Sequence, residues 1–354
     1  MDLREALSLG GMRKVLGCIE VSASKLAMLM SLLFPSLLVA ATNDDAVLME
    51  ELEVVASPIV EERVIRTFGD TLHSVGQEQL EDLAANDLAT ALDRVPGVNM
   101  SRHNPIGAFG GGDGGAIFIR GHGASRPGQE ILTLFDGVPR FSGIWSHSLL
   151  DMLPVDGLQG IDVYKSPQGV LLGNSGFGAV NIKAKKHDGV GTSGSLMTAF
   201  GRYGTSINTL SYGGANSKND YYFTASHRSS DGNRENGKGT VDSFYGRFGE
   251  DKEGPWSFCF QVLHTTSDVE DPRAIDAAQI PIVEKFATRG DLFIASISRD
   301  DGESRLDAKL YLDDGLQDWL QWDGAVAEPF YSVTDYRNYG LKLKHQSSPW
   351  QDGE

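Results

Sequence analysis

The stretch GGGDGGAIFIRGHG (residues 110–123) decides how the chain is read. Gly110, Gly112 and Gly115 have the G-x-G-x-x-G spacing of a loop that wraps a dinucleotide pyrophosphate. That motif works only between a strand and a helix, because the helix N-terminus supplies the N–H groups and the positive dipole end that hold the phosphate. Here the order is inverted. Upstream, NMSRHNPIGAF (99–109) is broken by Pro105 and Gly107, and downstream AIFIR (116–120) is β-branched and aromatic, a strand rather than a helix. The glycines therefore serve something other than a nucleotide, and no cofactor is expected.

Working outward, short strands surround this loop. AIFIRG, ILTLFDGVP, GIDVYKS and GAVNIKAKK, between residues 115 and 186, are separated by Gly, Pro and Asp turns. Ahead of them, SVGQEQLEDLAANDLATALDRVPGV (74–98) sets Leu80, Leu83, Leu88 and Leu92 at helical spacings and ends at Pro96-Gly97, which predicts one or two short helices. Residues 58–187 read as one compact α+β unit.

After Gly189 the period changes to two. WSFCFQVLH (256–264) puts Trp256, Phe258, Phe260 and Val262 on one face and Ser257, Cys259 and Gln261 on the other. SRLDAKLYL (304–312) and YRNYGLKLKH (336–345) alternate in the same way. With weaker candidates near 192–201, 204–213, 220–229, 240–249 and 289–299, about eight strands of roughly ten residues are expected, the pattern of a transmembrane antiparallel β-barrel. A soluble β-sandwich explains any one strand but accounts less well for the strand lengths and the aromatic residues near strand ends.

Composition narrows the partners. A formal charge of −17 and a pI near 4.9 repel a phosphate backbone, so no nucleic acid is expected. The two cysteines, Cys18 and Cys259, have neither metal-site spacing nor a nucleophile pattern. KLAMLMSLLFPSLLVAA (25–41) reads as a secretory leader, a signal peptide over residues 1–41, with Met12 before Arg13 and Lys14 as an alternative start. The apolar run is shorter than the roughly 20 residues a spanning helix needs.

The motifs LDRVPGV (92–98), IFIRGHG (117–123), LFDGVPR (134–140) and IDVYKSPQGVLLGNSGFGAVNIKAKK (161–186), in this order, resemble the plug domain of TonB-dependent outer-membrane receptors. The resemblance implies a fold: an α+β plug domain (58–187) followed by a transmembrane antiparallel β-barrel (188–354), here apparently incomplete. It also implies a periplasmic segment (42–57) whose Glu53, Val54, Val55, Ala56 and Ser57 would form a TonB box. Arg120, Gly121, Asp136, Gly137, Lys165, Pro167, Gly173 and Asn181 stand in the plug motifs. Where the family most often has an Arg-Gly-Pro turn this chain has Lys165-Ser166-Pro167, a single ammonium in place of a bidentate guanidinium.

On this reading the 110–115 glycines form a plug loop, since only glycine tolerates positive φ and close backbone approach at no steric cost. Arg120, at the end of AIFIR, is too costly to bury unpaired and is expected to have a carboxylate partner, with a solvated loop-end arginine as the alternative. The resemblance would draw the carboxylates facing Arg120 and Lys165 from later barrel strands.

The implied function is active uptake of a scarce solute, with a ferric siderophore the family's commonest cargo. The implied partners are TonB with its inner-membrane proton-motive complex, and outer-membrane lipid. The site is the outer membrane, with a periplasmic N-terminus. No enzymatic chemistry and no catalytic residue are expected: Gly173, Ser175 and Gly178 miss the G-x-S-x-G spacing. His103, His122, Phe141, Trp145 and His147 are candidate solute contacts, although without ligand spacing a polar loop histidine is the commoner outcome and no metal site is expected.

A passive porin or adhesin is the alternative that keeps a barrel without energy coupling. Because plugged transporters use about 22 strands, the sequence reading expects a truncated form of such a receptor, inactive by itself.

Overall fold

A computed structural model of the chain describes residues 62–65, 71–83, 85, 87–100, 106, 117–123, 130–141, 152–166, 177–187, 189–251, 254–270, 272, 283–322 and 328–347. The expected leader, residues 53–57, the glycines at 110–115, and His103, Trp145, His147, Pro167 and Gly173 lie outside these.

The first part is a six-stranded sheet built from β1 (Glu62–Ile65), β2 (Thr71–Gly76), β5 (Ile131–Phe135), β6 (Val138–Pro139), β7 (Leu158–Tyr164) and β8 (Gly178–Ala184). Its spatial order is β1-β2-β7-β8-β5-β6. β3 (Val98–Met100) and β4 (Ile117–Ile119) form a separate antiparallel pair. β5 lies parallel to β8, and all five residues of ILTLF are buried, as expected of a strand covered on both faces.

Two short helices connect β2 to β3: α1 (Gln77–Asp82) and α2 (Leu88–Leu92). The second starts where Asp87 Oδ1 accepts the Thr90 N–H at 2.6 Å, an N-cap worth about 1 kcal/mol. It buries Leu88, Ala89, Ala91 and Leu92, and stops ahead of Pro96 and Gly97, the latter at φ +75°.

The second part is an eight-stranded antiparallel meander: β9 (Gly191–Phe200), β10 (Ser206–Ala215), β11 (Asn219–Ser230), β12 (Gly239–Asp251), β13 (Trp256–Glu270), β14 (Lys285–Asp300), β15 (Ser304–Gln321) and β16 (Phe330–Ser347). Among the described residues it is an open sheet with β9 and β16 at its edges. The strands lengthen from 10 residues in β9 to 18 in β16, against the roughly ten expected.

A strand needs only about 9–11 residues to cross a bilayer, fewer than any of β13–β16 has, and the outer face changes character along their length. Phe258, Phe260 and Val262 give way to a register row His264–Asp291–Asp314–Arg337, in which His264 contacts Asp291 at 2.7 Å and Arg337 pairs with Asp314. That row lies towards the end carrying the long connections at 231–238, 271–284 and 322–329; the short turns, at 216–218, 252–255 and 301–303, lie at the other.

The inner face of this wall packs on the plug in one shared core. Val75, Leu92, Ile131, Phe135, Ile161 and Ile182 cluster with Tyr222, Tyr245, Leu263, Leu292 and Ile294 of the wall. Phe135 meets Tyr245 edge-on at 5.8 Å.

Candidate functional site

Among the described residues the plug is tied to the wall by polar contacts at three places, and the first is the β5–β6 turn. Asp136 and Gly137 have φ of +48° and +78°, the backbone of a two-residue type I′ hairpin, for which Asp-Gly is a favoured sequence. The turn is braced from within: the Asp136 N–H donates to Ile182 O at 2.8 Å, Asp136 Oδ1 accepts from the Ala184 N–H at 3.0 Å, and the Gly137 N–H donates to Asn181 Oδ1 at 2.8 Å. Three residues of the sequence motifs, Asp136, Gly137 and Asn181, thus form one locus.

From the wall, Gln261 Nε2 donates to Asp136 Oδ2 at 2.5 Å, Lys309 Nζ to Asp136 O at 2.6 Å and Lys342 Nζ to Gly137 O at 2.7 Å. Just beyond, Asn338 Nδ2 donates to Phe141 O at 2.9 Å.

The second tie is a knob in a dent. Gly290 and Gly315 face one another across β14 and β15, with Tyr336 next in the same row. A Cβ on Gly290 would lie 2.7 Å from Met152 Sδ and 3.1 Å from Arg140 Nη2, so the missing side chain is what admits the plug. Tyr336 lies over Gly315, the way an aromatic ring covers a cross-strand glycine, and its hydroxyl donates to Met152 Sδ at 3.3 Å. Within the dent Arg140 Nη1 pairs with Asp313 Oδ1 at 2.7 Å, both side chains 0% exposed. Arg140 Nε and Asp313 Oδ2 have no hydrogen-bond partner among the described residues. Removing either member of such a pair strands a charge and costs about 3–5 kcal/mol.

Asp156 makes the third tie. Its carboxylate accepts from Arg228 Nη2 at 2.7 Å and from Thr209 Oγ1 at 3.1 Å. Both members of this ion pair are nearly buried.

The remaining motif residues lie within the plug. Arg120 is exposed at φ +52°, beside Gly121 at φ +83°, and its N–H donates to Gly97 O at 2.9 Å. The carboxylate expected for a buried Arg120 is not found among the described residues. The residue turns the chain at the end of β4 with its side chain in solvent, so no buried charge needs compensating, and the buried plug arginine is Arg140 instead. Lys165 is buried and its Nζ donates to Pro96 O, which joins two of the motifs. His122 is exposed and stacks on Phe177, with ring centroids 3.9 Å apart. Phe141 touches the wall through its carbonyl.

Among the described residues no group of three or more His, Cys, Asp or Glu is placed to hold a metal ion. Sequence reasoning missed the wall's half of every tie: Thr209, Arg228, Gln261, Lys309, Asp313, Tyr336, Asn338 and Lys342. Their only signal was an inward position on a period-two strand.

Comparison with known proteins agrees with this architecture. Residues 65–180 match the family description TonB-dependent Receptor Plug Domain. Residues 65–180 are thus similar to a TonB-dependent receptor plug, and the plug and the strands that follow share the fold of solved receptor structures. The ferric yersiniabactin uptake receptor FyuA from Yersinia pestis superposes with a TM-score of 0.66 at 12% identity, over 79% of this chain and 46% of that one. The siderophore receptor PiuA from Acinetobacter baumannii gives 0.62 at 14% identity, over 80% and 43%. In sequence, a vitamin B12 transporter BtuB of Vibrio vulnificus is 28% identical over 109 residues, covering 30% of this chain and 16% of the relative. A probable TonB-dependent siderophore receptor PirA of Acinetobacter baumannii is 29% identical over 188 residues, covering 47% and 23%. The chain spans less than half the length of each of these proteins.

Proposed function

We propose that this chain is part of an outer-membrane receptor that actively takes up a scarce solute, a ferric siderophore first among the classes its relatives carry. The observation that carries the reading is the way the plug is held. Three polar ties, two of them buried ion pairs, fasten it to the inner face of the wall, so a solute passing between them has to break contacts that thermal motion alone seldom breaks.

Energy from TonB supplies that work. Residues 53–57 add as a strand to a TonB sheet by β-augmentation, which uses main-chain hydrogen bonds and asks little of the side chains. The apolar outer face meets outer-membrane lipid, and the N-terminus is periplasmic. No described helix is long and apolar enough to cross a membrane.

The test is a pair of substitutions in the full receptor. Val55→Pro removes an N–H and fixes φ, and should abolish uptake while surface binding of the solute persists; Val55→Ala should be mild. Equal effects of the two on uptake would refute strand addition, and uptake indifferent to both would favour a passive pore.

A further inference from the structure

Strands β15 and β16 carry the same five-residue pattern. YLDDG (311–315) and YRNYG (336–340) each read Tyr, then Asp or Asn two positions on, then Gly two further, so in both strands all three lie on one face. The antiparallel register lays the two patterns on one another head to tail: Tyr311 faces Gly340, Asp313 faces Asn338 and Gly315 faces Tyr336. A Cβ on Gly340 would lie 2.5 Å from Tyr311 Oη and 2.6 Å from its Cζ, and Tyr336 covers Gly315 in the same way. Each ring thus reaches across to the neighbouring strand and fills the place of the side chain that its partner lacks.

At the centre of this pattern stand the two groups that grip residues 140 and 141 of the plug. Asp313 Oδ1 accepts from Arg140 Nη1 at 2.7 Å, and Asn338 Nδ2 donates to Phe141 O at 2.9 Å. The rings flanking them also meet the plug. Tyr336 donates its hydroxyl to Met152 Sδ at 3.3 Å, and Tyr311 packs against the core that plug and wall share.

A buried ion pair offsets its desolvation only in good geometry, and here the geometry depends on register. A slip of one residue between β15 and β16 would turn one strand's set to the outer face. A slip of two would separate Asp313 from Asn338 by about 7 Å along the strands, so that the two could no longer hold adjacent plug residues together. Either slip parts both rings from their glycines at once. We propose that Tyr311 and Tyr336 are positioning residues: their two ring-on-glycine contacts fix the β15–β16 register, and that register sets Asp313 and Asn338 where they hold the plug at rest.

This deepens the transport reading above by naming what keeps the plug seated before energy arrives, and it rests on that reading; the test reads the latch itself, with neither solute nor uptake involved. The measurement is the fraction of plug cleaved by trypsin at one fixed urea concentration, in outer-membrane fragments carrying the full receptor, with heat-modifiable migration reporting that the wall is folded. Gly340→Tyr sets two rings against one seat and should raise cleavage about tenfold, whereas adding Tyr311→Gly returns one ring to one glycine, from the opposite strand, and should bring cleavage back to within about twofold of the wild type. Where Gly340→Tyr fails to migrate as a folded wall, Gly340→Val, a smaller intrusion by a strand-favouring residue, takes its place in the comparison that follows.

The same substitution in an Arg140→Leu, Asp313→Leu parent separates positioning from general support of the strands. With the ion pair gone there is little left to position, and cleavage should rise only about twofold over that parent. A rise as large there as in the wild type overturns the proposal, as does a swapped pair that is cleaved as readily as Gly340→Tyr alone.

Discussion

Phe260 and Gln261 are neighbours on β13 with opposite fates. Phe260 is 50% exposed on the outer face and Gln261 is 4% exposed on the inner one. On the transport reading proposed above the outer face answers to a solvent, lipid, which any sufficiently apolar residue satisfies, so Phe258, Phe260 and Val262 are interchangeable in kind. The inner face answers to individual plug atoms. Gln261 is there for Asp136, Asp313 for Arg140, and Gly290 for the space that Met152 and Arg140 occupy. One strand thus carries two codes, a generic one read by a medium and a specific one read by a partner.

The largest effect that sharpens this contrast is on the inner face. Arg140→Leu should loosen the plug by about 3–5 kcal/mol, because it leaves the Asp313 carboxylate buried and alone, whereas adding Asp313→Leu should recover most of the loss. The urea midpoint at which the plug becomes trypsin-sensitive measures both. If the double variant is no better than the single one, the cost is lost packing rather than the stranded charge.

On the outer face a charge meets the medium rather than a partner. Phe260→Arg should cost about 2–4 kcal/mol near the bilayer midplane, while Ser257→Arg, on the inner face at the short-turn end, should fold like the parent. Heat-modifiable migration reports both, and equal folding defects would break the assignment of faces.

The smallest effect lies where neither code applies, in the solvated turn between β14 and β15. Asp301 Oδ1 accepts from the Ser304 N–H at 2.7 Å and from the Glu303 N–H at 3.2 Å, and these bonds, the Ser304 one foremost, hold its carboxyl below the usual range. A depressed carboxyl stabilises the turn at neutral pH, and the contribution fades as pH falls below the ordinary carboxylate range and through its lowered value. The protection of the Ser304 amide, its exchange rate relative to the intrinsic rate at each pH, should fall over that window and should lose its pH step in Asp301→Asn.

The two codes also explain what was legible beforehand. The outer face is a period-two signal, so all eight strands could be placed from residues such as Trp256, Phe258 and Phe260, although β13–β16 run longer than expected because they continue beyond the apolar band as charged rows like His264–Asp291. The Asp-Gly turn was legible because φ above zero at two successive residues selects a very small set of sequences. Arg120 misled: an arginine at the end of an apolar strand looks buried, but the positive φ at that residue swings it into solvent, and no linear pattern announces that rotation.

By itself, then, the sequence determined the period of the wall, the α+β texture and turn chemistry of the plug, and the order of the two parts, since each depends on residues within a few positions of one another. Only the tertiary structure decided that Arg140 meets Asp313, 173 residues away, that Gly290 and Gly315 open a dent for Met152, and that Lys309 and Lys342 donate to the carbonyls of Asp136 and Gly137. Those pairings come from strand register and from the way the plug seats on the wall, where shape and charge are matched between segments that share no local signal.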